Sequence, residues 1–362
     1  MKLRLCLCAS VVALAGFSAC TDQTGTTICR PGMNEYQTMG SHNSYKRAIP
    51  PIELELIRAQ APEWAEALNY AHIAISDQLD LGLQQIELDV FHDPEGGLYA
   101  TPLLPQLSRQ GFDAAGLTAP GFKVLHVQDV DARSSCNPFI ACLEQIRDWS
   151  AANFRHDPIL ILINAKQAPI DLPNATVPLA FDAAAFDALD AEIRSVFGPQ
   201  ALISPDDVRG EHATLREAVT TAGWPYLDDV TTKVFFALDE GPEVVDVYRR
   251  GRDSLQGLAM FVNSHDPTAA DAAYFTINDP RADGETIAER VRQGFIVRTR
   301  ADADTREART GDRARLDAAL ASGAQYISTD YYLPRTEWSE YVAELPEQVA
   351  DRPNPVANCA MR

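Results

Sequence analysis

Short, almost wholly apolar runs recur along this chain, and helical patterns fill most of the gaps between them. Ile159–Ala165 and Lys233–Leu238 are the clearest. A strand that is apolar on both sides must be covered on both sides, which is the habit of parallel sheets wrapped by helices. Eight β-rich runs are found, several of them nearly all apolar: Tyr36–Ser41, Gln85–Phe91, Lys123–Gln128, Ile159–Ala165, Lys233–Leu238, Leu258–Val262, Gly294–Thr299 and Gln325–Thr329. Apolar residues at helical spacing occupy Glu53–Ile75 (room for two helices), Leu143–Asn153, Phe181–Phe197, Glu285–Gln293 and Asp312–Ser322. Strands joined mostly by helical crossovers predict an α/β fold, a single-domain (β/α)8 TIM-type barrel. Ala100–Phe122 and Ile203–Thr232 read as loop insertions.

The 362 residues are 46% hydrophobic, which is enough for a core and too apolar for a disordered chain. Lys and Arg number 31 against 51 Asp and Glu, a formal charge of -20. No basic patch stands out, so a nucleic-acid partner is not expected. An anionic membrane would repel such a body unless a local site held it.

Lys2 and Arg4 precede an apolar run, Leu5–Ala19, that ends at Cys20. The run is shorter than the ~20 residues needed to span a bilayer, and the pattern predicts a secretory signal over residues 1–19. Phe17-Ser18-Ala19-Cys20 resembles a bacterial lipobox, which implies lipidation of Cys20 and a cell-envelope lipoprotein. Phe17 stands where Leu is usual, so plain secretion is the alternative. Loss of the signal moves the charge to -22, because Lys2 and Arg4 leave with it. Cys29, Cys136, Cys142 and Cys359 then remain, an even number that suits an oxidising compartment. Three pairings are possible; close spacing favours Cys136–Cys142, which leaves Cys29–Cys359. Residues 20–33 read as a polar tether, 34–345 as the barrel and 346–362 as a Pro-rich tail.

In such a barrel the chemistry sits at the C-terminal strand ends. Four early strands carry unusual polar residues: Ser41-His42-Asn43-Ser44-Tyr45, Glu87-Leu88-Asp89, His126, and Asn164-Ala165-Lys166. Strand periodicity puts Glu87 and Asp89 on one face of an otherwise apolar strand. Two such carboxylates are costly unless a cation pairs with them. A hard divalent cation suits oxygen ligands, and the alternative is pairing with Arg or Lys. Asn164 and Lys166 also share a face; an amide oxygen completes such a shell, and an ammonium holds a phosphate oxygen. His42 and His126 suit general acid–base work near neutral pH. Arg298 and Arg300 share a face and are candidates for phosphate, or for salt bridges with Asp302, Asp304 or Asp330. Asp129 and Asp131 either orient His126 or face solvent. His92-Asp93 and His265-Asp266 rank lower, and His72, His156 and His212 read as ordinary. Asp302-Ala303-Asp304 lacks the glycine and distal Glu of an EF-hand. Gly-rich phosphate loops and a Gly-x-Ser-x-Gly elbow are absent from the sequence.

In order along the chain, this set resembles the bacterial calcium-dependent phosphoinositide phospholipase C group. Ser41–Tyr45 and Glu87–Asp89 resemble that group's early segments, and Gly294–Thr305 and Gln325–Tyr332 its last two strands. The resemblance implies Ca2+, with Mg2+ as the other possibility, held by Asn43, Glu87, Asp89 and Asn164. It implies that His42 stabilises a phosphorane-like transition state and that His126 protonates the departing alcohol. Lys166, Arg298 and Arg300 would bind substrate. Asn164 stands where the animal enzymes have Glu, which removes a negative charge from the shell. The implied substrate is an inositol phospholipid or a soluble inositol phosphodiester, attacked by its own neighbouring hydroxyl. A monomer is expected, with a lipid anchor as its main membrane contact. A glycerophosphodiesterase on the same barrel is one alternative, and a non-catalytic surface lipoprotein keeping the pocket is another.

Overall fold

The computed structural model describes Cys20–Thr21 and residues 27–359; the expected signal and the side chain of Cys20 lie outside the described residues. Its strands are β1 (Tyr36–Ser41), β2 (Gln85–Phe91), β3 (Lys123–Val124), β4 (Ile159–Ala165), β5 (Val234–Leu238), β6 (Met260–Val262), β7 (Tyr274–Thr276), β8 (Ile296–Arg300), β9 (Tyr326–Thr329) and β10 (Asp351–Pro353). A further short pair joins Cys20–Thr21 to Thr27–Ile28.

The ten strands form two five-stranded sheets, ordered β10-β1-β9-β8-β7 and β3-β2-β4-β5-β6. Each sheet has four mutually parallel strands and one antiparallel strand at its edge. The sheets meet at two places. Gln84 N–H donates to the Met39 carbonyl between β1 and β2, and a single parallel bridge pairs Asn263 with Tyr274 between β6 and β7. The lower half of β1 gives its other edge to β10, with Asp351 opposite Thr38 and Pro353 opposite Tyr36. The architecture is mixed α/β with two sheets; among the described residues no continuous ladder runs from one sheet into the other.

Two expectations about strands change. Lys123–Gln128 is not a parallel strand: only Lys123–Val124 pairs, antiparallel to β2. Beyond it the backbone folds on itself, with the amides of His126 and Val127 both donating to the Asp131 carbonyl and Asp129 at φ 67°. The eighth parallel strand is instead β7, whose three residues are too few to show a period.

Burial follows the sequence pattern. Every residue of β2 is buried, and β4 is buried except at Asn164. The helices Phe139–Ala152 and Ala183–Val196 pack Phe139, Leu143, Ile146, Phe186, Leu189 and Ile193 against the sheets. The parallel strands place their C-terminal ends together, and there the apolar interior gives way to buried Asn43, Glu87, Asp89 and Arg298. The structure links Cys29 to Cys359 and Cys136 to Cys142. The segment expected as a tether is docked at its end: Arg30 pairs with Asp228 and Asp229, and Leu227 N–H donates to the Pro31 carbonyl.

Candidate active site

The turn after β1 is fastened to β2 from below. Gly40 is needed there, because a Cβ would lie 2.4 Å from Gln85 Cβ. Ser44 donates its backbone N–H to the Glu87 carbonyl (3.0 Å), and its hydroxyl accepts from Glu87 N–H (2.8 Å). Asn43 takes the left-handed conformation, φ 47°, which Asn tolerates better than most residues. These contacts bring His42 and Asn43 over the acid pair, with His42 Nε2 3.8 Å from Glu87 Oε1.

Glu87 and Asp89 are almost fully buried and each is paired. Arg298 Nη2 donates to Glu87 Oε2 at 2.5 Å, and Asn164 Nδ2 donates to Glu87 Oε1 at 3.1 Å. Lys166 Nζ lies 3.3 Å from Asp89 Oδ2. Asp89 above all, outweighing burial, raises the pKa of Lys166. Each acid of the pair thus has a cationic side chain of the chain beside it. Arg298 also donates to Asn278 Oδ1 (2.6 Å) and Ser328 Oγ (3.0 Å), so it is placed on Glu87.

Each histidine has a carboxylate behind it. His42 Nδ1 lies 3.0 Å from Asp330 Oδ1, and His126 Nδ1 lies 2.8 Å from Asp131 Oδ2. Asp131 also meets Lys46 Nζ at 3.2 Å. Burial alone would raise the Asp131 carboxyl, but Lys46 and His126 together hold it below its usual range. Burial and the Arg300 guanidinium lower His42, against the opposing pull of Asp330 and Glu87. Asp330 pays the desolvation of burial and is still held well below the usual carboxylate range, facing His42, His72 and Arg300. Arg300 Nη2 lies 3.4 Å from Asp330 Oδ2, so that candidate also has an acidic partner. Beneath them Asp302 accepts from Asp330 N–H, and burial with the neighbouring Asp330 charge pushes it up to about 7.

Three contributors escape the sequence reading. Tyr70 receives a hydrogen bond from Asn43 Nδ2 at 2.7 Å, and its ring contacts both histidines, 6.0 Å from His42 and 6.4 Å from His126 by centroid. Lys46 lies over that ring, 4.5 Å from its centroid. His72, expected to be ordinary, places Nε2 3.6 Å from Asp330 Oδ1. Only Lys46 had a signal available, as the residue right after the Ser41–Tyr45 turn; the other two lie in the connection before β2 and show no period.

Beside this cluster a cavity of about 560 Å³ is lined by Gln128, Asn164, Lys166, Asp239, Glu240, Asn263 and His265 among others. Burial pushes Glu240 up to about 7 and Asp239 up to about 6. His265 lies at the cavity wall, whereas His92 stacks on Phe122, lies tilted against Phe181 and has a packing role.

The donor set fits a hard cation. The Asn43 side-chain oxygen is buried without a partner, and two carboxylates and a second amide stand near it. Among the described residues no group of three His, Cys, Asp or Glu side chains is gathered as a metal site, so the set is two acids with two amides.

Two carboxylate-backed histidines beside a buried acid pair, at the C-terminal ends of parallel strands, form an arrangement suited to general acid–base chemistry. The model of the Ca2+-dependent phosphoinositide phospholipase C family matches residues 32–355, and the chain belongs to that family, whose members are phosphodiesterases. Among solved structures, it resembles a calcium-dependent phosphoinositol-specific phospholipase C from a Pseudomonas species (TM-score 0.56, 14% identity, 90% of this chain and 96% of that one). It also resembles a Ca2+-dependent phosphatidylinositol-specific phospholipase C from Streptomyces antibioticus (TM-score 0.53, 18% identity, 83% of this chain and 95% of that one). At such identities the likeness speaks for the fold. No curated protein sequence matches the chain.

Proposed function

We propose that the chain cleaves a phosphoinositide-type phosphodiester by attack of the neighbouring inositol hydroxyl, with a cyclic phosphate as product. The observation that carries this reading is the pairing of His42 with Asp330 and His126 with Asp131 around the buried Glu87 and Asp89. Calcium is the proposed cation, with magnesium as the second choice, and Asn43, Glu87, Asp89 and Asn164 would hold it. Bound there, the cation would acidify the attacking hydroxyl and offset charge on a phosphoryl oxygen.

The remaining work falls to this chain's own groups. A carboxylate of the acid pair, Glu87 or Asp89, accepts the proton of the attacking hydroxyl. His42 lies beside the phosphoryl group and donates a hydrogen bond as negative charge grows there. His126, with Nδ1–H directed to Asp131, turns Nε2 toward the departing alcohol oxygen and delivers its proton. Lys166 and Arg300 supply cationic contacts to phosphoryl oxygens, and Arg298 serves chiefly to hold Glu87. The cavity beside Asn164 has acceptors in Asp239, Glu240 and Asn263, which suits the hydroxyls of a polyol headgroup.

We read the two sheets as halves of one (β/α)8 barrel, with 34–345 as the catalytic domain of a monomer. The family's phosphoinositide specificity favours an inositol lipid or a soluble inositol phosphodiester as substrate. The two disulfides fit export to an oxidising compartment, and none of the described helices is long and apolar enough to cross a membrane. We assign residues 1–19 as signal and Cys20 as a lipid anchor.

The test offers purified protein phosphatidylinositol, glycerophosphoinositol and glycerophosphocholine, with calcium, magnesium or chelator, and follows phosphorus NMR. A cyclic inositol phosphate that disappears with chelator is expected. Monoester from glycerophosphocholine would replace the proposal with a glycerophosphodiesterase. Metal binding without turnover would make the protein a binding lipoprotein.

A further inference from the structure

The two cations on the acid pair are held very differently. Arg298 is 1% exposed, and its guanidinium is tied to Asn278 and Ser328 as well as to Glu87. The side chain of Lys166 is 36% exposed and lines the 560 Å³ cavity. Asp89 is the single acidic group within ion-pair distance of it among the described residues. A guanidinium fixed by three partners stays in place. An ammonium on a flexible four-carbon stem at a cavity wall can leave.

Within the four side chains that meet here, the charges balance before any metal arrives. Glu87 and Asp89 carry two negative charges, and Arg298 and Lys166 carry two positive ones. Asn164 fits this balance: an acid at that position would add a third negative charge that the two side-chain cations could not neutralise. Entry of a divalent cation then leaves a buried positive excess, and Lys166 is the one member of the set free to withdraw.

We propose that Lys166 is a displaceable counter-ion: it neutralises Asp89 in the metal-free protein, yields that carboxylate to calcium, and turns its ammonium into the cavity toward the anionic oxygens of the phosphoester. The inference rests on the calcium reading above and adds to it a coupling between two ligands. Calcium competes with Lys166 when no phosphoester is present. Once displaced, Lys166 favours an anion in the cavity, so each ligand strengthens the other, reciprocally.

Calorimetric titration of calcium into the native protein, K166M and K166R, with and without inositol 1-phosphate, tests this. Without the phosphoester, K166M should bind calcium at least about fivefold more tightly than the native protein, the low end of typical coupling between ligands. K166R keeps the charge and should stay near the native affinity, which a purely structural effect of the K166M change would not produce. Inositol 1-phosphate should tighten calcium binding severalfold in the native protein and by a smaller factor in K166M. K166Q repeats the measurement if K166M melts early. Calcium binding to the native protein with K166M equal or weaker overturns this inference alone. Absence of calcium binding to the native protein overturns the calcium reading, and this inference with it.

Discussion

Glu87 lies between a guanidinium and an amide, with only 4% of it exposed. Removing Arg298 leaves that carboxylate buried and unpaired. Arg298→Met is therefore expected to cost about 3–5 kcal/mol of stability, read from the urea midpoint, and to weaken calcium binding only as far as the fold loosens. His126 is a different case, since Nε2 is the working atom of our reading. His126→Ala should lower kcat by a factor of about 10²–10⁴ with the melting temperature nearly unchanged; full activity would contradict the general-acid role. Asp131→Asn tests the positioning behind it, and should lower kcat, leave KM close to native and displace the pH profile of kcat. Glu87 and Asp89 were legible in the sequence because alternate residues of an apolar strand share a face. Tyr70 and His72 were not, because they come from an irregular connection whose side chains are aimed by tertiary contacts. Lys46 is buried, with its ammonium donating to the carbonyls of Leu68 and Tyr70, which no spacing rule anticipates.

Most of the parallel strands could be read from the chain, since β4 is apolar but for Asn164, β2 is apolar at alternate residues, and both are bounded where the sequence says. The failures have one cause: short segments whose state depends on neighbours. Lys123–Gln128 has the composition of a strand but pairs only at Lys123 and Val124, before Asp129 in the left-handed region turns the chain back. β7 is held by a bridge from Asn263 and by β8, and three residues carry no periodic signal of their own. The contact between Gly40 and Gln85 belongs to this scale too. It sets how closely β1 approaches β2, and with it the height of His42 above Glu87. Gly40→Ala must move backbone as well as side chain, because the nearest atom is a Cβ. A loss of about 1–3 kcal/mol is expected in chemical denaturation, with a larger drop in kcat than in thermal midpoint.

Across the whole molecule, Cys29 and Cys359 close a loop of 330 residues, and Cys136 and Cys142 one of 6. Removing the longer link should cost about 2–4 kcal/mol and more than removing the shorter one, when the two double Cys→Ala variants are unfolded in urea. A pH effect is expected at the opposite end of the strands from the active site. Burial first, and the Asp351 charge second, push Asp157 up to about 6, against about 3.9 for an unfolded Asp. Between those values the folded state binds more protons than the unfolded one. The contribution of this group is therefore present at low pH and is lost as pH rises through about 6. Asp157→Asn removes it, so the melting temperature of the variant relative to the native protein should climb between roughly pH 4 and 6 and level off above.

The position of β1 has a consequence for how the protein is made. Both strands flanking β1 in its sheet, β9 and β10, come from beyond residue 325. During synthesis the first strand therefore waits through nearly the whole chain before either sheet partner has left the ribosome. If the chain is exported as we propose, β1 crosses the channel while both of its sheet partners are still to follow.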